Sequence, residues 1–351
     1  MIVSKQNNFD VIRLGAATQV MVLHSIEHLH LPLPPWSVDL IARFPGVPVF
    51  FVISGFLVSK AFERNSRLHE YARNRALRIY PGLYACLVFS ILSVVAVGYL
   101  PGVRASVFTW GAWLVTQLTF FQFYRAPFLD GYATGTLNGS LWTIPVELQF
   151  YAVLPLVYAV LPRTKYRQTV LMLAIAGFAA LNVWRYGAAI DSANTVVVRA
   201  LKMSFALYVY MFLLGVLVQQ NFAKLEHLFR GKVHWWLVAH IAASYGSTSF
   251  GIRASANGLN PVCVLVLAGL ILSAAFTATS LSDRVLRRQD ISYGIYIYHM
   301  PIINVLVYSG PWRAGASAGI TVLATSVCAA LSWRFVERPC LALKHTSARN
   351  A

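Results

Sequence analysis

The sequence predicts an all-α integral membrane protein of about ten transmembrane helices, with one further short segment that is re-entrant or interfacial and with both termini cytoplasmic. Three observations predict this. The 351 residues are 58% hydrophobic and only 12% charged, whereas a soluble domain is about a quarter charged. The apolar residues fall in runs long enough to cross a hydrocarbon core of about 30 Å. The basic residues gather in alternate loops, which is the positive-inside pattern. No stretch is long and polar enough for a separate soluble domain, so residues 1–351 read as a single membrane domain.

In chain order the apolar runs are Val11–Leu31, Val47–Phe62, Ile79–Tyr99, Thr109–Phe123, Leu141–Leu161, Thr169–Tyr186, Met203–Gln220, His234–Phe250, Pro261–Ser280, Ile291–Ser309 and Ala314–Val336. Thr109–Phe123 is short for a crossing. With the N-terminus inside and that segment not crossing, 20 of the 29 Lys and Arg residues fall on the cytoplasmic side and 8 outside, with Arg13 inside the first span. Letting it cross would export the cluster Arg163, Lys165 and Arg167 and break the rule. The formal charge of +17 is therefore a topology signal, and no nucleic-acid partner is expected. Cys86, Cys263, Cys328 and Cys340 have no CxxC spacing, which supports neither a disulfide framework nor a zinc site. The first helix is too long, and lacks an A-x-A site, for a cleaved signal peptide.

The first span, FDVIRLGAATQVMVLHSIEHLH, carries the first chemistry. An ionisable group inside a spanning helix is costly and marks a functional site by default. Arg13 and His24 are eleven residues apart, close to three turns, so they share a face about 16 Å apart along the axis. Asp10, three residues before Arg13, lies on the same face in a supporting position. Entering from outside at Leu141, the fifth run places Glu147 about 9 Å deep, level with His24 at about 10 Å. A carboxylate beside an imidazole is either an oriented general base or a structural pair between helices.

YARNRALRIYP puts Arg73, Arg75 and Arg78 at the cytoplasmic entrance of a helix, with Pro81 expected in its first turn. Arginine forks there suit either lipid headgroups or the phosphates of an acyl donor such as coenzyme A. HSIEH, from His24 through Glu27 to His28, matches a short metallohydrolase pattern, with no third ligand evident. Tyr293, Tyr296, Tyr298 and His299 in ISYGIYIYHMPI read first as an aromatic packing stripe with a polar handle. Ser54-Gly55 suits close helix approach.

Taken in order, FDVIRLGAATQVMVLH, VPVFFVISGFLVSKAF, YARNRALRIYPGLYA, SLWTIPVELQFYAVLPL, ISYGIYIYHMPI and SWRFVERPCLAL resemble the blocks of the membrane acyltransferase-3 family over nearly the whole chain. The resemblance implies a bacterial inner-membrane, multi-pass enzyme that moves an acyl group, most often acetyl from acetyl-coenzyme A, onto a hydroxyl of a sugar or another envelope or secreted molecule. It implies that Arg13 and His24 are essential, that Arg75 and Arg78 are the RxxR pair serving the donor, and that Glu147 belongs to the site. Trp142 and His299 lie in its later blocks and take supporting places beside Asp10. Thr143 and Pro145 stand where many members have serines. The resemblance is to the stand-alone form, in which no esterase-like domain is expected after the block SWRFVERPCLAL.

The expected activity is an O-acetyltransferase acting on a glycan or lipid-linked sugar in contact with membrane lipids, with no metal. His24 is either the general base or a transient acyl carrier. The rival readings are a transporter or flippase of an envelope precursor, a metal hydrolase built on His24, Glu27 and His28, and a purely structural membrane subunit.

Overall fold

The computed structural model describes residues 7–119, 124, 126–161, 166–187, 203–286, 289–310 and 313–346. Lys5, Arg125, Arg163, Lys165, Arg199, Lys202, Arg287, Arg288 and Arg349, all used above for orientation, lie outside them, as does the end of the Thr109–Phe123 run. Helix and loop make up the described residues, with no strand among them.

Every apolar run yields a helix. The longer ones are α1 (Phe9–His28), α3 (Gly46–Arg64), α4 (Leu68–Ala96), α6 (Thr143–Val160) and α7 (Arg167–Gly187). Between α1 and α3 lies the short α2 (Pro35–Ala42), and α5 (Val107–Leu118) follows α4. Then come α8 (Val209–Gln220), α9 (Phe222–Phe229), α10 (Val233–Ser249), α11 (Pro261–Phe276) and α12 (Leu281–Leu286). The chain ends in α13 (Ser292–Tyr308), α14 (Ala314–Ser332), a π-helical turn Trp333–Glu337 and α15 (Arg338–Thr346). By length and composition, five helical stretches among the described residues can cross a membrane: Pro35–Arg64, Leu68–Ala96, Gly139–Val160, Arg167–Arg185 and Ala314–Lys344. α5 has 12 residues, about 18 Å at helical rise and well short of the core. Its start is capped by the Ser106 hydroxyl, which accepts from the Thr109 N–H at 3.1 Å.

The entrance to α4 differs from expectation. Pro81 lies inside the helix, which begins at Leu68. Leu, Glu, Ala and Arg dominate LHEYARNRALRIY and hold helix well. Proline removes only the bond to the carbonyl four residues before it, and the strong helix formers on its N-terminal side carry the helix through. Arg73, Arg75 and Arg78 therefore lie on the body of α4.

The chain divides into two compact units. The first comprises Met1–Gln19, Trp36–Leu68 and Val146–Arg288. Its centre is the crossing of α3 with α8. A Cβ on Gly55 would lie 1.9 Å from the Phe212 carbonyl oxygen, and one on Gly215 would lie 2.2 Å from that of Val52. Two glycines thus let the backbones touch, as the Ser54-Gly55 pair anticipates. Around the crossing, the rings of Phe9, Phe56, Phe222 and Phe276 pack at 4.5–5.9 Å. Asn8 fastens the start of α1: its amide donates to the carbonyls of Thr277 at 2.7 Å and Ala278 at 3.0 Å, and its oxygen accepts the Ser282 N–H. Arg43, after α2, forks onto Asp39 at 2.8 and 3.0 Å and reaches the Ser244 and Thr248 hydroxyls of α10.

The second unit comprises Val20–Pro35, His69–Pro145 and Gln289–Ala351. A loop strap from Ala126 to Thr143 is tied to α13 by polar side chains. The Asn304 amide donates to the Thr136 and Leu137 carbonyls at 2.9 and 3.0 Å, and the Asn138 amide donates to the Ile297 carbonyl at 2.7 Å. Tyr296 donates its hydroxyl to the Ser140 carbonyl at 2.8 Å. Buried backbone groups need partners, and α13 supplies them to a loop that has no ladder of its own.

Candidate active site

In the second unit, α13 brings His299 to the C-terminal half of α1. His24 Nδ1 and His299 Nε2 are 2.8 Å apart, with ring centroids at 5.1 Å. His299 is fully buried, and its Nδ1 lies 3.0 Å from the Ile295 carbonyl oxygen. A carbonyl only accepts, so His299 Nδ1 carries a proton, and in the neutral ring Nε2 is the bare nitrogen. His24 must then donate from Nδ1, which leaves the lone pair of a neutral His24 on Nε2. The tautomer follows from one backbone carbonyl. That lone pair is what a general base or an acyl-accepting nucleophile needs.

His28 packs its ring 5.8 Å from His24 on the same face of α1. Among the described residues no group of three or more His, Cys, Asp or Glu side chains comes together in a form that could hold a metal ion. HSIEH therefore finds no third ligand there.

The strap places further hydroxyls beside this pair. Tyr296 is one turn before His299, its ring centroid 6.1 Å away. Since its hydroxyl donates to the Ser140 carbonyl, its oxygen accepts from Thr143 Oγ1 at 2.7 Å. Thr143, one of the two departures from the serine pattern, thus keeps a working hydroxyl. Trp142, next to it, is half-buried.

At the other end of α13, Arg78 pairs with Asp290, which also accepts from the Ser292 hydroxyl and, at 3.3 Å, from the Ser292 N–H. Arg73 donates to the Leu343 carbonyl at 3.3 Å. Arg75 is half-buried on the same helix. Glu337 closes the π-helical turn and is buried, accepting from Ser332 at 3.0 Å. Such turns often accompany functional sites.

The remaining predicted residues belong to the first unit. Arg13 and Asp10 are half-buried on the first turns of α1. Glu147, near the start of α6, accepts from Ser54 Oγ at 2.7 Å and from the Tyr151 hydroxyl. Ser54 thus does more than permit close approach.

Sequence reasoning missed Asp290, Tyr296 as a hydrogen-bonding residue, and Asn304. Asp290 had a signal, because an Asp two residues before a Ser at the head of an apolar run is a helix-start pattern. The His24–His299 pairing had none, because 275 residues separate the partners.

A family profile described as an acyltransferase domain matches residues 6–333. Nodulation protein 10 of Rhizobium leguminosarum bv. viciae is 34% identical, over 97% of this chain and 94% of its own length. The O-acetyl transferase of Shigella phage Sf6 is 28% identical over 95% and 96%. The peptidoglycan O-acetyltransferase OatA of Listeria monocytogenes is 26% identical over 84% of this chain and 51% of its own. No solved structure matches. With a profile covering nearly the whole chain, relatives that are O-acetyltransferases and helices suited to a bilayer, the chain belongs to the acyltransferase-3 family of membrane acyltransferases.

Proposed function

We propose that the protein is an acetyl-coenzyme A-dependent O-acetyltransferase that modifies a hydroxyl of a cell-envelope or exported glycan or glycolipid. It sits in the bacterial inner membrane as a bundle of about ten spans with both ends cytoplasmic. The observation that carries the proposal is the His24–His299 pair, which leaves His24 Nε2 bare. The O-acetyltransferase names of the relatives support acetyl as the group moved.

Donor phosphates dock at the cytoplasmic end on Arg73, Arg75 and Arg78, whose forks suit phosphate oxygens. About 16 Å of helix separates Arg13 from His24 on one face of α1, a length that a pantetheine arm can span. His24 Nε2 takes the proton of the acceptor hydroxyl as its oxygen attacks the thioester carbonyl. The C–S bond breaks, and the coenzyme A thiolate takes that proton back. Alternatively Nε2 attacks the thioester carbonyl first: the C–S bond breaks, the coenzyme A thiolate leaves, and the acceptor hydroxyl opens the resulting Nε2-acyl-imidazolium, freeing Nε2 and passing its proton to the thiolate. Ping-pong kinetics would support the second route, and obligatory ternary-complex kinetics the first. On the sequence pattern Arg13 enters as an essential residue and Glu147 as a member of the site, with Asp10 and Trp142 as supports.

The test compares acetyl content of envelope glycan, by mass spectrometry, in cells carrying wild type, His24→Ala or Arg75→Ala. Both variants are expected to lose acetylation while remaining in the membrane fraction. Unchanged acetyl content in both, with glycan still crossing the membrane, would favour a transporter and end the enzyme proposal.

A further inference from the structure

The second unit holds an open cavity of 480 Å³ lined by Tyr99, Val103, Arg104, Pro127, Phe128 and Tyr308. Its volume falls within the range of small-molecule sites. It differs from the cavity of the first unit, whose lining around Met172, Ile175, Leu217 and Leu265 is mostly aliphatic and carries one aromatic ring, Tyr210. Here three aromatic rings and one arginine stand among glycine, valine and proline.

The rings are held from behind. Tyr99 donates its hydroxyl to the Phe128 carbonyl at 2.6 Å and meets Tyr308 edge-on at 5.5 Å. Phe128 lies against Trp110 at 4.1 Å, and Tyr132 backs both Tyr99 and Tyr308 at 5.2 and 5.4 Å. Beneath them is a core of Leu87, Val94, Trp113, Leu129 and Leu137. Rings fixed this way pay little ordering entropy on binding. Their negative π faces suit the C–H face of a sugar ring, and the exposed Arg104 supplies donors for hydroxyl or carboxylate oxygens.

The position along α13 gives the cavity its meaning. Asp290, which pairs with Arg78, lies just before Ser292; His299 is seven residues on, about 10.5 Å of rise and on nearly the same face as Ser292, and Tyr308 is nine further, about 13.5 Å of rise and half a turn round, on the opposite face of the helix. The Arg78–Asp290 pair, the bare imidazole nitrogen and the cavity therefore lie at successive levels of α13, the cavity on the face opposite His299. We propose that the Tyr99–Phe128–Tyr308–Arg104 cavity is an acceptor subsite, which holds one saccharide ring of a glycan whose hydroxyl further along the chain reaches the His24–His299 pair. The inference rests on the proposed O-acetyltransferase activity and sharpens it: the acceptor is an oligosaccharide or longer, because a single sugar cannot occupy both places.

The experiment uses the full chain in nanodiscs, labelled acetyl-coenzyme A, and the envelope polysaccharide of the source organism after mild alkaline de-O-acetylation, supplied either as partial-hydrolysis oligomers or as monosaccharides. Wild type is expected to acetylate oligomers in preference to monosaccharides. Arg104→Ala and Tyr308→Ala should each raise the KM for oligomers about tenfold and reduce that preference, with the KM for acetyl-coenzyme A unchanged. Tyr308→Phe, which keeps the ring, should stay within about twofold of wild type. Arg104 is exposed, so its variant reads binding even if Tyr308→Ala folds poorly. An unchanged oligomer KM in Arg104→Ala, and in Tyr308→Ala where it folds, overturns the subsite. A rise in the donor KM instead also overturns it, by placing the cavity on the donor's path. Absence of any transfer by wild type removes the proposed function itself, and this inference with it.

Discussion

The crossing of α3 with α8 and the seam between the strap and α13 both join segments inside an apolar chain, and they do it in opposite ways. At the first, Gly55 and Gly215 let carbonyl oxygens approach to within van der Waals distance of the opposing backbone. At the second, Asn138, Tyr296 and Asn304 spend hydrogen bonds to join the elements. Association between helices in a membrane rests on packing, for which small residues suffice. A buried amide or imidazole is costly in the same setting, and is found where something besides adhesion is needed. The glycine crossing is thus a joint, while the polar seam is also the frame of the proposed active site. The difference can be tested by damaging each in turn.

The largest effect is expected at the joint. Gly55→Ala puts a methyl group 1.9 Å from the Phe212 carbonyl oxygen, where backbone, not a flexible side chain, would have to yield. Overpacking of this kind costs about 3 kcal/mol or more. The variant should be nearly absent from the folded fraction in detergent-resolved gel filtration. The molecules that do fold should transfer acetyl groups at close to the wild-type rate. Normal folding with a low rate would mean that the joint also shapes the site.

The next effect belongs to the seam, and has the opposite signature. His299→Leu removes the acceptor for His24 Nδ1–H, so the His24 proton is free to sit on either nitrogen. The expected loss in kcat is about 10²-fold, the lower end of what a positioned base contributes, with donor KM and thermal stability little changed. His299→Gln offers a side-chain carbonyl to the same N–H and should recover to within about tenfold of wild type. Equal losses in Leu and Gln would show that His299 acts through packing alone.

The two regions also differ in how much the sequence discloses. The glycine joint is legible, because Ser54-Gly55 stands in an apolar run and small residues at such positions have one physical use. The ends of α6 are legible to within two residues, as is the start of α11 at Pro261, since the edges of apolar runs mark them. The polar seam is not. Tyr296 and His299 fall in an apolar run where a packing stripe is the simpler reading, and their partners, Ser140 and His24, are 156 and 275 residues away. The start of α4 was hidden for a different reason: Pro81 argues locally for a helix beginning, while the helix-forming run from Leu68 to Tyr80 outweighs it. Short α2 and α9 carry too few residues for their period to stand out.

The smallest expected effect lies at Thr143, where the seam departs from the family's serine. Its hydroxyl donates to the Tyr296 oxygen at 2.7 Å, while Tyr296 itself donates to the Ser140 carbonyl. Thr143→Ser keeps the donor and should leave both stability and rate within error of wild type. Thr143→Val has nearly the same shape but no donor. It leaves the Tyr296 oxygen with an unfilled acceptor site, at a cost of about 1 kcal/mol. Because Tyr296 keeps its bond to Ser140, the strap should stay attached to α13, and the loss should appear as a lower thermal midpoint with a rate reduced less than about fivefold. If Thr143→Val instead abolishes transfer while the midpoint holds, the hydroxyl acts in the reaction, and the seam reaches further into the chemistry than the His24–His299 pair alone.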